Sequence, residues 1–215
     1  MKQTLSDHDR GRLNALIAET EKKTKTQIVL AVIQRSDSYA ELPWKAFALG
    51  ASIAGLLFFV LNLPIYEWYP RVTVLVAVAS TLVCSILFAL LTVIIPPFAR
   101  QFLTADRTEV EVQQYAESLF LSRELFSTKK RTGILLMVSL FERKVVILPD
   151  KGLADQLKEN DTQSVITSMI PFLKQKEIRR AFEAGLDQLS RILTTVGPSA
   201  DENELPDELI EEKGV

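Results

Sequence analysis

Two long uncharged runs constrain this chain more than anything else in it. Residues 46–63 read AFALGASIAGLLFFVLNL and residues 72–95 read VTVLVAVASTLVCSILFALLTVII, with no charged side chain in either. A helix crossing the hydrocarbon core of a bilayer needs about 20 such residues, and both runs meet that length. The second holds 15 Val, Leu, Ile or Phe. At about −0.3 to −0.6 kcal/mol each near the bilayer centre, they favour insertion by several kcal/mol. A domain of this size has no layers to wrap two helices that are apolar all round. The runs therefore predict a transmembrane hairpin over residues 44–98. Tyr66, Trp68 and Tyr69 in its short connector, and Trp44 before it, are expected at headgroup level. Small residues spaced by four (Ala77, Thr81, Ser85 and Ala89; Ala51 with Gly55) suggest faces for close helix contact.

Basic residues set the expected orientation. Lys2, Arg10, Arg12, Lys22, Lys23, Lys25 and Arg35 precede the hairpin, Lys45 lies at its first membrane boundary, Arg100 and Arg107 follow it, and its tip carries Arg71. The positive-inside rule then places both termini and the soluble part in the cytoplasm, on a bacterial inner membrane. The first 40 residues are polar and charged, unlike a cleavable signal. No ionisable group interrupts the spans to make a proton or ion path, so the hairpin reads as an anchor. The chain has one histidine, His8, and one cysteine, Cys84, which sits inside the second span. A zinc site, a disulfide framework or a Cys–His dyad needs more of these residues than that.

Outside the hairpin the pattern is that of an α/β domain in two pieces, residues 1–43 and 99–198. Ser6 with Asp9 resembles a capping box, and Leu13, Leu16 and Ile17 mark one face of the helix behind it. Residues 27–33 (QIVLAVI) read as a strand buried on both faces. Thr108 with Glu111 suggests a second capping box, followed by the stripe Val112, Tyr115, Ala116 and Leu119. Residues 133–140 and 144–148 predict two further strands joined as a hairpin. Helices are expected over about 152–158, 162–174 and 177–195, with Pro171 ending or bending the middle one. A strand, a crossover helix and a strand imply a right-handed parallel pair. The edge that holds Asp37, Glu142 and Arg143 is expected to lie nearer the membrane. Residues 199–215 carry seven carboxylates against Lys213 and are expected to be a disordered acidic tail.

Four stretches together resemble the TPM domain family: LSDHDRGRLNALIAETEKKTKTQIVLAVI, EVQQYAESLF, TGILLMVSLFERKVVILPDKGLADQL and VITSMIPFLKQKEIRRAFEAGLDQL. The resemblance implies a three-layer α/β/α sandwich, here with the transmembrane hairpin inserted. It also implies calcium binding in some members and acid phosphatase activity in some. Many members have Asp-Asn-Gly before the second strand and Gly-x-Gly-Leu after the third. This chain has Arg131-Thr132-Gly133 and Asp150-Lys151-Gly152-Leu153. A guanidinium beside Lys129 and Lys130 opposes calcium, which takes six to eight oxygens, so no metal or other cofactor is expected.

Lys129, Lys130, Arg131, Asp150 and Lys151 are the candidate contacts for an anion or an acidic partner. The alternatives are a solvated loop for the cations and a helix N-cap for Asp150. Lys174, Lys176, Arg179 and Arg180 form a second basic run, read as a solvated helix junction. No P-loop, paired-carboxylate motif or nucleic-acid pattern appears. The expected function is that of a membrane-anchored, non-enzymatic interaction or scaffold module. Its partners would be the membrane and other membrane proteins or itself, without nucleic acid. The alternatives are a phosphatase at the membrane surface, for which Asp150 would be the nucleophile, and a calcium-binding regulator.

Overall fold

The computed structural model describes residues 5–62, 70–193 and 209–214. The chain forms two compact units, one from the residues up to Asp37 with those from Glu109 onward, the other Ser38–Thr108.

In the first unit, α1 (Asp7–Thr24) opens on Ser6, whose hydroxyl oxygen accepts from the Asp9 amide at 3.2 Å. The same hydroxyl bonds the Asp9 carboxylate and holds that carboxyl below its ordinary range. The helix ends where Lys25 turns left-handed, at φ 59°. Buried Glu21 then accepts from the Ile28 amide at 2.6 Å, which ties α1 to β1 (Gln27–Arg35). Parallel to β1 runs β2 (Gly133–Ser139), in register from Gln27 beside Gly133 to Ile33 beside Ser139. β3 (Lys144–Pro149) is antiparallel to β2, across a turn in which Arg143 is left-handed. The sheet order is β3-β2-β1-β4, where β4 is Leu209–Gly214.

Two apolar cores sandwich this sheet. On one face Ile28, Leu30, Val32, Ile134, Leu136 and Val138 meet α1, α6 (Glu159–Lys174) and α7 (Ile178–Leu193). On the other, Val29, Ala31, Ile33, Leu135 and Met137 meet Val112, Ala116 and Leu119 of α5 (Ala105–Ser122). The unbroken apolar runs of β1 and β2 follow from that double covering, since neither face is left to water. This is the expected α/β/α sandwich, with four strands where the sequence suggested three.

Several local expectations are corrected. The acidic segment is not a disordered tail at 209–214, where it forms β4 parallel to β1. Burial of Leu209 and Ile210 on opposite faces and pairing of Glu211 and Glu212 offset its charge. The earlier part of that segment, 199–208, lies outside the described residues, as do Tyr66, Trp68 and Tyr69. Thr108 is not a cap but lies inside α5, its hydroxyl donating to the Thr104 carbonyl at 2.8 Å. Residues 152–158 form no helix; a 3₁₀ turn at Lys151–Leu153 replaces it. Pro171 does not end α6, which runs on to Lys174 because Val165 and Met169 bury that helix against its neighbours.

The second unit contains α2 (Glu41–Asn62) and α3 (Pro70–Ile94), two helices long and apolar enough to cross a membrane. Their inner faces are Leu42, Ala46, Gly50, Ala54 and Phe58 against Ala77, Thr81, Ser85, Ala89 and Thr92. The α3 stripe is the one its spacing predicts. On α2 the close contact falls at Gly50 and not at Gly55. A Cβ on Gly50 would lie 3.0 Å from the Ser85 Cα, whereas one on Gly55 meets nothing within 4 Å. Ser52, Ser80, Ser85 and Thr92 each donate to a carbonyl of their own helix. After α3, the short α4 (Pro96–Ala99) stacks Phe98 edge-on against Phe88 and Phe102.

Candidate functional site

The candidate contacts gather where two loops of the first unit meet at one end of the sheet, the loop before β2 and the loop after β3. In the first, the Arg131 amide donates to the Thr128 carbonyl and the Thr132 amide to the Thr128 hydroxyl, both at 3.0 Å. That turn puts Arg131 at φ 57°, a left-handed conformation that a long side chain rarely adopts. In the second, the Asp150 amide donates to the Gly133 carbonyl at 2.8 Å, and the Gly152 amide to the Arg131 carbonyl at 2.9 Å.

Gly152 permits this approach, since a Cβ on it would sit 2.2 Å from the Lys130 carbonyl oxygen; Gly133 lets the Leu125 turn close on the start of β2, where a Cβ would sit 2.3 Å from the Leu125 carbonyl oxygen.

The loops also lock through side chains. Arg131 Nε lies 2.7 Å from Asp150 Oδ2 and its Nη2 2.9 Å from Oδ1, a two-pronged pair. Oδ1 accepts in addition from the Lys151 amide at 2.7 Å, which caps the 3₁₀ turn. The Asp150 side chain is 3% exposed and that of Arg131 45%. The hydrogen bonds to Asp150 hold the Arg131 guanidinium above its ordinary pKa. Its free face looks onto the Phe126 ring at 5.9 Å. Of the five predicted residues, the structure joins Arg131, Asp150 and the Lys151 backbone, while the Lys129, Lys130 and Lys151 side chains are exposed around them.

Both Asp150 oxygens are therefore occupied by N–H donors, and one basic side chain covers them. The donor set does not fit calcium: one carboxylate among four cationic side chains cannot supply six oxygens. Among the described residues no three His, Cys, Asp or Glu side chains come together. As a nucleophile, Asp150 would first have to shed a guanidinium held by two charge-assisted hydrogen bonds.

Two carboxylate sites carry no sequence signal and were not anticipated. At the opposite end of the sheet, Glu142 is buried and accepts from the Ser36 amide at 2.8 Å and the Ser36 hydroxyl at 2.7 Å. It also accepts from the Ser139 hydroxyl, so it pins the ends of β1 and β2 together. On β4, Glu211 pairs with Arg10 while Glu212 accepts from Tyr115 and Arg123 at 2.8 Å each. Burial first, and then the bond to Glu212, push the Tyr115 phenol up to about 12.

A shallow groove of about 420 Å³ runs between α1 and α7, lined by Arg12, Ala15, Leu16, Glu19 and Glu183. Its charges are paired, Arg12 with Glu183 at 2.8 Å and Arg179 with both Glu183 and Asp9. The basic run at the α6–α7 junction is likewise partly spent on ion pairs, Arg179 as above and Arg180 with Glu177 at 2.9 Å.

Comparison with known proteins agrees with this architecture. Residues 99–192 match the family model described as the TPM domain. The protein BA42 from the psychrophilic bacterium Bizionia argentinensis, solved by NMR, superposes with a TM-score of 0.60 at 14% identity. The superposition covers 98% of this chain and 97% of that one. At such identity the likeness is one of fold. No curated protein matches the sequence.

Proposed function

We propose that this chain is a membrane-anchored, non-enzymatic interaction module. Its hairpin spans a bacterial inner membrane and its TPM-like domain stands on the cytoplasmic side, where it contacts other membrane proteins or itself.

The observation that carries the reading is the outer surface of α2 and α3. Leu56 and Phe59 are each 64% exposed, Leu75 69% and Val93 71%. Apolar exposure on that scale, along helices of about 33 and 38 Å at 1.5 Å per residue, matches the thickness of a bilayer and not a water-facing surface. The hydroxyl-to-carbonyl bonds within these helices leave few polar groups that hydrocarbon would penalise. Lys45, which donates to the Phe102 carbonyl at 3.2 Å, and the Glu41–Arg107 pair mark the polar boundary. Orientation rests on the excess of basic residues outside the hairpin.

The non-enzymatic half rests on Asp150. Its carboxylate is buried, caps the 3₁₀ turn and is clamped by Arg131, and among the described residues no three His, Cys, Asp or Glu side chains come together.

Alkaline carbonate washing tests the anchor: the chain is expected in the membrane pellet, and release into the supernatant refutes it. A reporter fused after Val215 that is active only outside the cytoplasm refutes the orientation. Full-length protein in detergent is expected to leave p-nitrophenyl phosphate untouched. Turnover that disappears in Asp150→Asn establishes the phosphatase instead.

A further inference from the structure

The basic run at the α6–α7 junction has no part in the function proposed above, yet the fold brings it to the end of the first unit where the chain leaves and returns. The turn between β2 and β3 marks that end. Its Glu142 accepts from the Ser36 amide at 2.8 Å, one residue before the unit breaks off at Asp37. Lys144, at the other side of the turn, pairs at 3.8 Å with Glu109, where the unit resumes. Arg143 stands between these two contacts. α6 runs to the same end, for Phe172 and Leu173 of its last turn pack against the core that Val145 of β3 also joins. α7 starts there: its Arg179 pairs at 2.9 Å with Asp9 in the first turn of α1, the helix whose last turn leads into β1 at the opposite end.

The junction is a fixed turn. The Gln175 and Glu177 amides donate to the Phe172 carbonyl at 3.1 and 2.9 Å, and the Lys176 amide to that of Leu173 at 3.0 Å. Most charges at this end are spent on one another: Arg180 on Glu177, Arg179 on Asp9 and Glu183, Lys144 on Glu109, and buried Glu142 on the two serines. Arg143, Lys174 and Lys176 are exposed and make no ion pair among the described residues, and Lys213 near the end of β4 joins them. Against them stands the exposed carboxylate of Asp7. Five peptide steps, at most about 18 Å of chain, lead from Ser36 to the start of α2 at Glu41. The other basic end, at Lys129–Arg131, lies a further 30 Å or so away along the nine residues of β1. The pull of an anionic bilayer on basic side chains fades within a Debye length of about 8 Å, which favours the tethered end.

We propose that this end of the domain is a docking surface for the headgroups of anionic phospholipids, held by Arg143, Lys174 and Lys176. Such docking rests on the anchor proposed above, which supplies the bilayer, and it gives the domain a fixed seat on the lipid surface. Ammonium and guanidinium groups with no carboxylate of their own suit phosphate oxygens, and the pairing is sensitive to salt.

The test uses the full chain in lipid nanodiscs on a Cys84→Ala background, with an NBD fluorophore at one of two exposed positions. Gln175→Cys lies between the two lysines, and Asp155→Cys lies just past the 3₁₀ turn at the opposite end. A lipid spin-labelled in its headgroup, at fixed content, is the quencher. Replacing about a third of the phosphatidylcholine by phosphatidylglycerol should raise quenching at Gln175→Cys about threefold and leave Asp155→Cys unchanged. Arg143→Glu with Lys174→Glu and Lys176→Glu should remove that rise while melting with the parent by circular dichroism. Raising the salt to about 0.5 M should remove it in the parent itself. Equal quenching in the two lipids overturns the proposal, and so does a rise that survives charge reversal or is larger at Asp155→Cys. Co-elution with the discs reads the anchor separately. A chain that stays on the disc without lipid-dependent quenching refutes the docking alone, whereas a chain that leaves the disc refutes the anchor and the docking together.

Discussion

Replacing Gly152 by alanine tests how closely the two loops of the candidate site are joined. The added Cβ would lie 2.2 Å from the Lys130 carbonyl oxygen and 2.6 Å from that of Arg131. Both obstacles are backbone, so no rotamer change relieves them. The loops must separate by roughly 1 Å, which carries the Gly152–Arg131 bond from 2.9 Å past the hydrogen-bonding range of about 3.2 Å. The lost bond costs about 0.5–1.5 kcal/mol. Forcing the backbone apart adds about 1–3 kcal/mol, as overpacking does elsewhere. The sum is about 1.5–4.5 kcal/mol, and for a domain near 140 residues each kcal/mol moves Tm by about 3–4 °C. Gly152→Ala should therefore lower Tm by about 5–18 °C, followed by circular dichroism of the full chain in detergent. Gly11 is the internal control. It lies in α1 with nothing within 4 Å of a built Cβ, so Gly11→Ala should stabilise by about 0.5–1 kcal/mol. If Gly152→Ala melts with the wild type while Gly11→Ala behaves as expected, the close approach of the two loops is wrong.

In the hairpin, Gly50→Leu should splay α2 from α3 and raise maleimide labelling of Cys84 in membranes, while Gly55→Leu should leave labelling unchanged; equal labelling refutes the Gly50 contact. The Tyr115 phenol, raised from 10.0 to about 12, stays neutral in the folded chain where an unfolded one ionises. Its contribution is therefore complete below pH 10 and fades as pH climbs towards 12. Ultraviolet titration should show a late-titrating tyrosine that disappears in Tyr115→Phe, and a titration in which that substitution removes no late tyrosine refutes the assignment. Excess calcium should leave Tm where it is, because Arg131 already neutralises Asp150; a clear rise would show a site that the carboxylate and its cations do not predict.

Much of the fold was legible because burial writes itself into residue type. The runs at 27–33 and 133–140 are apolar at successive positions, which only a strand covered on both faces needs, and the two longer runs form helices long and apolar enough to cross a membrane. What escaped was whatever depended on tertiary partners. Pro171 reads as a helix end until the burial of Val165 and Met169 outweighs the missing amide bond. Gly152 and Leu153 read as a helix start, yet the approach of the Lys130 and Arg131 carbonyls allows only a 3₁₀ turn. Gly50 and Gly55 are alike in sequence, and only the position of α3 separates them.

The same distinction explains the charges. A run of carboxylates predicts disorder when its members repel one another in water, and that inference holds only while they have no cations of their own. Glu211 and Glu212 project to opposite faces of β4, so they meet Arg10 on one side and Arg123 on the other instead of each other. Arg10 stands 201 residues away in sequence and Arg123 stands 89, separations at which no spacing rule connects the pairs. Arg131 with Asp150 is the reverse case: both were singled out as contacts for an external ligand or partner, and the left-handed turn at Arg131 gives them to each other. Glu211 and Glu212 on one side and Arg10 and Arg123 on the other are thus two halves of one interface. Its strength depends on the strand that brings the halves together, so reversing Glu211 and Glu212 while reversing Arg10 and Arg123 should restore docking that either reversal alone destroys.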